Sequence, residues 1–291
     1  MISFPVLIFG QQESYYTLYF ENMQVINPAF AGSESKNEFT LLNRNQWAGL
    51  SDSPKIMTLS YSYKAKKNIA IGFSVVSDKV FIENQTFAYV DVSYRLKIND
   101  KTDFYFGLKA GGNFYKSNVT DLTIYNDQFD PLWRNFDSFN PNVGVGLYLK
   151  NPRFWFSFSI PRLFLIRRDR EINVGSKDRI HTYLAAGYKF NLTEKISVEP
   201  NLIYRKIKAI PSTMDLTLNL NYDNAFEVGY SHRTNSSNSN LIIFHLSNEV
   251  SVGLCYDRPF LNRLGGIDLK TYEILIPVSY THLTLPTKRI V

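Results

Sequence analysis

Along much of this chain, apolar and polar residues alternate one by one. In Asp215–Tyr222, Leu216, Leu218, Leu220 and Tyr222 share one face, while Asp215, Thr217, Asn219 and Asn221 share the other. A side-chain period of two marks a β-strand with two unlike faces. Asp223-Asn224 predicts a tight turn, after which Phe226, Val228 and Tyr230 oppose Glu227, Gly229 and Ser231. Upstream, a rougher strand carries Glu199, Asn201 and Arg205 on its polar side. Successive strands of this kind need an apolar cover, either a second sheet or a lipid bilayer.

The same reading over the rest of the chain predicts about fourteen strands, near residues 37–47, 55–64, 68–78, 85–98, 102–115, 139–149, 153–160, 180–191, 196–208, 212–222, 224–234, 239–247, 249–257 and 271–280. An even number is what a single-chain bacterial outer-membrane barrel has. Connections after even strands are short and polar, as at Lys66-Lys67, Asn99–Lys101 and Lys150–Pro152. Those after odd strands are mostly longer: 48–54, 79–84, 116–138, 161–179 and 258–270. Short turns at one rim and long loops at the other are how such barrels are built, and a soluble sandwich has no reason to sort its loops by parity. Tyr63, Tyr94, Tyr148, Phe190 and Tyr222 each stand just before a short turn and predict an aromatic girdle at the bilayer interface.

The expected fold is therefore all-β, a transmembrane antiparallel up-and-down β-barrel with short periplasmic turns and longer extracellular loops. Phe104, Phe106, Leu108, Ala110 and Phe114 would face lipid, while Asp103, Tyr105, Lys109 and Asn113 would face the lumen. A charge facing mid-bilayer lipid costs about 2–4 kcal/mol, which keeps such residues on one face. Interior Asp91, Arg95, Glu199, Arg205, Asp215 and Glu227 could pair across the lumen. A packed polar interior and an open channel read alike at this stage.

Composition narrows the picture without changing it. The 291 residues are 44% hydrophobic and 15% aromatic, with 19 Tyr and 22 Phe, which argues against disorder. The net charge of +6 is spread over turns and makes no nucleic-acid footprint. No apolar run is long enough for a spanning helix, which leaves barrel strands untouched. The single Cys255 allows no intramolecular disulfide framework and reads as an unreactive small residue. His181, His232, His245 and His282 lack the spacing of metal ligands, and no nucleophile elbow, phosphate loop or dinucleotide fingerprint is present. No catalytic residue, metal or cofactor is expected, and the chain does not read as an enzyme.

The lead-in carries more specific wording. Tyr16–Asn22 (YTLYFEN), Ile26–Ser33 (INPAFAGS) and Arg44–Trp47 (RNQW) with Pro54 shortly after resemble the PorP/SprF family of Bacteroidota. So do Gly72–Asp78, Phe106–Gly111 and Asn140–Tyr148, in order from about Gln11 to Tyr280. The resemblance implies an outer-membrane barrel accessory to type IX secretion. Such a protein supports secretion or surface anchoring of large cargo proteins, gliding adhesins included, through the cargo's C-terminal domain. It also implies partnership with the periplasmic ring lipoproteins of that machine, besides outer-membrane lipid. Asn27, Pro28, Gly32, Arg44, Gln46 and Trp47 are the matching motif residues; they would seat the N-terminal segment in the barrel or contact a partner. The rival reading is a solute channel or hydrophobic-substrate transporter.

The expected organisation is a leader remnant over 1–10, a plug-like or periplasmic lead-in over 11–36, the barrel over 37–280, and a foreign-looking tail over 281–291. Two long loops are candidate cargo contacts, one with Phe129, Trp133 and Phe136, the other with Arg162, Arg167, Arg168 and Arg170.

Overall fold

The computed structural model describes residues 16–34, 37–119, 135–164, 166–167, 177–178, 180–207, 211–260 and 269–280. Alternating sequence becomes fourteen staves: β1 (Asn37–Ala48), β2 (Lys55–Lys66), β3 (Ile69–Val80), β4 (Glu83–Lys97), β5 (Asp103–Ser117), β6 (Phe136–Lys150), β7 (Phe154–Ile160), β8 (His181–Tyr188), β9 (Ile196–Ile207), β10 (Thr213–Tyr222), β11 (Phe226–Arg233), β12 (Ser237–His245), β13 (Ser251–Pro259) and β14 (Lys270–Tyr280). Each pairs antiparallel with its neighbours in sequence, and Asn37↔Tyr280 joins β1 to β14. The pairing of β8 with β7 and with β9 completes the ring. Closure matters because a strand edge in lipid would leave backbone N–H and C=O groups without partners. Phe190–Asn191 continues β8 along β9 past a break at Lys189.

The two faces sort as the alternation requires. On β10, Leu216, Leu218 and Leu220 stand outward and exposed, while Asp215, Thr217 and Asn219 are buried inside. On β5, Phe106, Leu108 and Phe114 point out, and Tyr105, Lys109 and Asn113 point in. Exposed apolar and buried polar residues invert the arrangement of a protein dissolved in water, which suits a surrounding of hydrocarbon.

Three expectations change. The loop expected over 79–84 is a two-residue turn between Val80 and Glu83, with Phe81 at φ 54°, because β3 and β4 keep pairing past the predicted ends. Loop length thus sorts by rim mainly through the long connections after β5, β7 and β13. Of the five girdle aromatics, Tyr63, Tyr94, Phe190 and Tyr222 face outward, but Tyr148 is buried on the inner face of β6. Its parity is that of inward Asn140 and Asn142, and Phe30 packs on its ring at 4.5 Å. Finally, several interior charges pair with groups one or two strands away along the wall, not across the lumen. Asp91 meets Lys109 at 2.9 Å and Arg95 meets Asp103 at 2.7 Å between β4 and β5; Asp215 meets Arg233 at 2.8 Å between β10 and β11. Glu199 accepts from Trp155 at 3.2 Å and Glu227 from His245 at 3.2 Å. The reason is that the centre of the barrel is already occupied.

Candidate functional site: the occupied lumen

Residues 16–34 run inside the barrel. Asn27-Pro28 and Gly32 interrupt any strand, and the segment makes three single-turn 3₁₀ segments: Tyr19–Glu21, Met23–Val25 and Pro28–Phe30. Such a segment satisfies few of its own backbone groups, so a buried one needs partners from elsewhere. The barrel wall supplies them. From Glu34 at the short-turn rim, beside Lys150, the segment passes through the lumen to Thr17, beside Asp257 and Glu273 in the far halves of β13 and β14.

At that far end lies a buried charge cluster. Arg44 on β1 donates through Nη1 to Asp257 at 2.6 Å and to Glu273. Glu273 also accepts the backbone N–H of Thr17 at 2.8 Å and of Leu18 at 3.0 Å. Thr17 donates its hydroxyl to Asp257 at 2.8 Å, and Arg233, paired with Asp215, donates to the Tyr16 carbonyl at 3.3 Å. Leu18 then packs among Leu42, Leu241, Ile243, Cys255 and Leu275.

Midway, Gln24 donates to the carbonyls of Tyr61 and Phe73 at 3.0 and 3.2 Å and to Asp91 at 3.3 Å, and its own carbonyl accepts from Lys109 at 3.3 Å. Ser60 donates to Asn22 at 2.8 Å. On the other side Tyr19, Met23 and Ile26 pack on Tyr183, Ala185 and Ile203 of β8 and β9.

The motif residues separate into two groups. Asn27 is fully buried and works in both directions. Its Oδ1 accepts from Ala29 N at 2.9 Å, capping the turn that Pro28 opens, while its Nδ2 donates to the Leu147 carbonyl at 2.9 Å and Ser157 at 2.7 Å. The turn lies so close to β5 that a Cβ at Gly107 would collide with the backbone of Pro28 and Ala29. Gly32 sits at φ +69°, and a Cβ there would strike Ala70; its N–H donates to Ser62 at 2.6 Å. Asn27, Pro28, Gly32 and Arg44 thus converge on the lumen. Gln46 and Trp47 form a bulge in β1, where the register shifts between Asn45 and Ala48 and Trp47 adopts φ 56°. Gln46 N donates to the Pro54 carbonyl at 2.9 Å and Trp47 N to Thr271 at 3.3 Å.

Of the loop candidates, Arg162 turns inward, its guanidinium 4.8 Å from the ring of buried Phe87. This is a cation–π contact with the inner face of β4. Phe136 opens β6, and Arg167 lies in a two-residue ladder with Lys177; their side chains are not among the described atoms. Phe129, Trp133, Arg168 and Arg170 lie outside the described residues, as do the segments 1–10 and 281–291.

Sequence reasoning missed Glu273, Asp257, Thr17 and Gln24. A signal existed for the first two, since each is a carboxylate on the inward parity of its strand. Nothing in the sequence says that their partners are main-chain groups of residues far away along the chain.

Residues 8–278 match the family described as type IX secretion system membrane protein PorP/SprF. No curated protein matches the sequence. Among solved structures, the monoaromatic hydrocarbon channel CymD superposes with a TM-score of 0.51 at 13% identity, covering 89% of this chain and 93% of that one. The outer membrane protein Omp33 of Acinetobacter baumannii gives a TM-score of 0.48 at 11% identity, over 84% of this chain and 98% of that one. At such identity the first likeness is one of fold alone.

Proposed function

The chain belongs to the PorP/SprF family of type IX secretion system membrane proteins, and from that premise we propose that it acts as a non-enzymatic outer-membrane accessory to secretion. In this reading it supports the export or surface anchoring of cargo proteins by engaging their C-terminal domains. Its periplasmic turns are the side from which the ring lipoproteins of the machine are within reach.

The observation that carries the reading is the family match itself, because it takes in the lumen segment and the barrel together. A second observation agrees with it. Residues 16–34 make hydrogen bonds or apolar contacts around the wall, from Leu42 on β1 to Glu273 on β14. A barrel filled in this way is poorly suited to free diffusion of a small solute, which weighs against the channel reading.

The test is recovery of the endogenous protein from native outer membranes in mild detergent, with its companions identified by mass spectrometry. Retention of a large secreted protein through its C-terminal domain, or of periplasmic ring lipoproteins, is the expected outcome. A clean barrel without either, at a wash stringency that keeps other secretion complexes together, overturns the proposal.

A further inference from the structure

The outer wall carries a row of charge at the long-loop rim. Across β1 to β6, Asn45, Lys55, Lys79, Asn84, Lys116 and Asp137 stand each opposite the next. Lys55, Lys79 and Lys116 are exposed and share the outward parity of Met57, Phe73 and Phe114 on their strands. Like charges directly opposite on neighbouring strands destabilise a sheet, yet Lys55 and Lys79 are such a pair. Among the described residues none of the three lysines makes an ion pair. An anion lying between them would remove the repulsion.

The height of the row says where that anion comes from. At about 3.4 Å per residue and a tilt of about 40°, Lys55 stands about 21 Å above outward Tyr63 on β2. By the same count Asn84, the neighbour of Lys116, stands about 26 Å above Tyr94 on β4. The apolar band of such a barrel is about 25 Å tall, so the row lies among the headgroups of the outer leaflet. Just below it, Phe114 and Phe139 are exposed with their rings 4.7 Å apart. Together with Asn84, Thr86, Lys116 and Asp137 they line a cleft of about 480 Å³ in the outer wall. Cations above and a cleft with an aromatic side below match an amphiphile with an anionic head and an apolar tail.

Lys55 and Lys116 lie on β2 and β5, about 14 Å apart at about 4.8 Å per strand, which is wider than one phosphate group. Asn84 and Asp137 add an amide and a carboxylate suited to hydroxyl groups. We infer that this row is a binding site for a phosphorylated, acylated glycolipid of the outer leaflet. Its phosphates lie against Lys55, Lys79 and Lys116, its sugar hydroxyls against Asn84 and Asp137, and one acyl chain descends the cleft past Phe114 and Phe139. The site rests on the barrel's place in the outer membrane and is independent of the secretion reading.

The experiment uses the purified full-length protein, stripped of lipid in detergent and read by native mass spectrometry. The probes are lipid A carrying two phosphates and, as a lipid with one phosphate, phosphatidylglycerol. One variant combines Lys55→Gln, Lys79→Gln and Lys116→Gln. Its control removes the same charge at the periplasmic turns through Lys66→Gln, Lys67→Gln and Lys101→Gln. A third variant, Thr86→Trp, fills the cleft and leaves every charge in place.

The expected result is a saturable one-to-one adduct with lipid A, bound about tenfold more tightly than phosphatidylglycerol. At about threefold for each exposed ion pair, the rim triple should bind lipid A about thirtyfold more weakly, and the periplasmic triple should bind it as the unaltered protein does. Thr86→Trp should weaken lipid A about tenfold, the loss of about two buried methylene groups. Absence of the adduct in a protein whose barrel still shifts on gels after heating overturns the inference. So do equal affinity for the two lipids, equal losses in the two triples, or indifference to Thr86→Trp. Each of these would mean that lipid merely surrounds the wall. Cargo recovery does not depend on any of them, so this inference and the secretion reading fail separately.

Discussion

At the residue scale, the lumen depends on a few side chains that each join two parts of the chain. Asn27 caps a turn and crosses to β6 and β7 at once. Asn27→Ala leaves buried donors and acceptors without partners, a cost of about 1–3 kcal/mol. Hydrogen exchange in detergent should show faster exchange confined to residues 16–34, with the barrel amides unchanged. Arg44 is the other such residue. Arg44→Ala leaves Asp257 and Glu273 buried with their principal counter-charge gone, and breaking a buried pair costs about 3–5 kcal/mol. The melting temperature in detergent should fall clearly more than for Arg153→Ala at the exposed periplasmic turn. If the two variants melt alike, the charge cluster does not hold the structure as described. The Asn-Pro turn was visible in the sequence as a turn. Its capping of itself and its bond to Ser157 were not, because the two residues stand far apart along the chain.

At the element scale, strand existence and face assignment follow from local pattern alone, since every stave obeys the same two-residue period against lipid. That rule gives a sharp contrast between two exposed leucines. Leu218→Arg at the middle of β10 should destabilise the barrel by about 2–4 kcal/mol, and Leu246→Arg at the rim by about 0–1 kcal/mol. Guanidinium unfolding in phospholipid vesicles measures the difference, and equal costs would mean that Leu218 does not face the bilayer core. Pattern fails where a residue of one type has two uses. Tyr148 has the composition of a girdle residue, yet its parity places it inside against Phe30. Strand ends fail for another reason. β3 and β4 continue to Val80 and Glu83 because each extra residue adds ladder pairs, an effect of the neighbouring strand that one segment's own pattern does not contain.

At the scale of the whole molecule, a closed ring with an occupied centre should pass little current. Reconstituted into planar bilayers, the intact protein should be nearly silent. The variant with Asn27→Ala and Gly32→Ala should show resolvable steps. Steady conductance from the unaltered protein would contradict an occupied lumen. By itself the sequence determined the number of staves, their faces and the membrane they suit, because alternation against lipid is a local rule that each strand obeys alone. The family wording added a lead-in placed before the barrel. Only the tertiary structure decided where that lead-in goes, which interior charges meet, and why Tyr148 and Arg162 turn inward. Those outcomes depend on closing the ring, which brings Thr17 to Glu273 and Asn27 to Ser157, contacts between residues too distant along the chain for any local pattern to record.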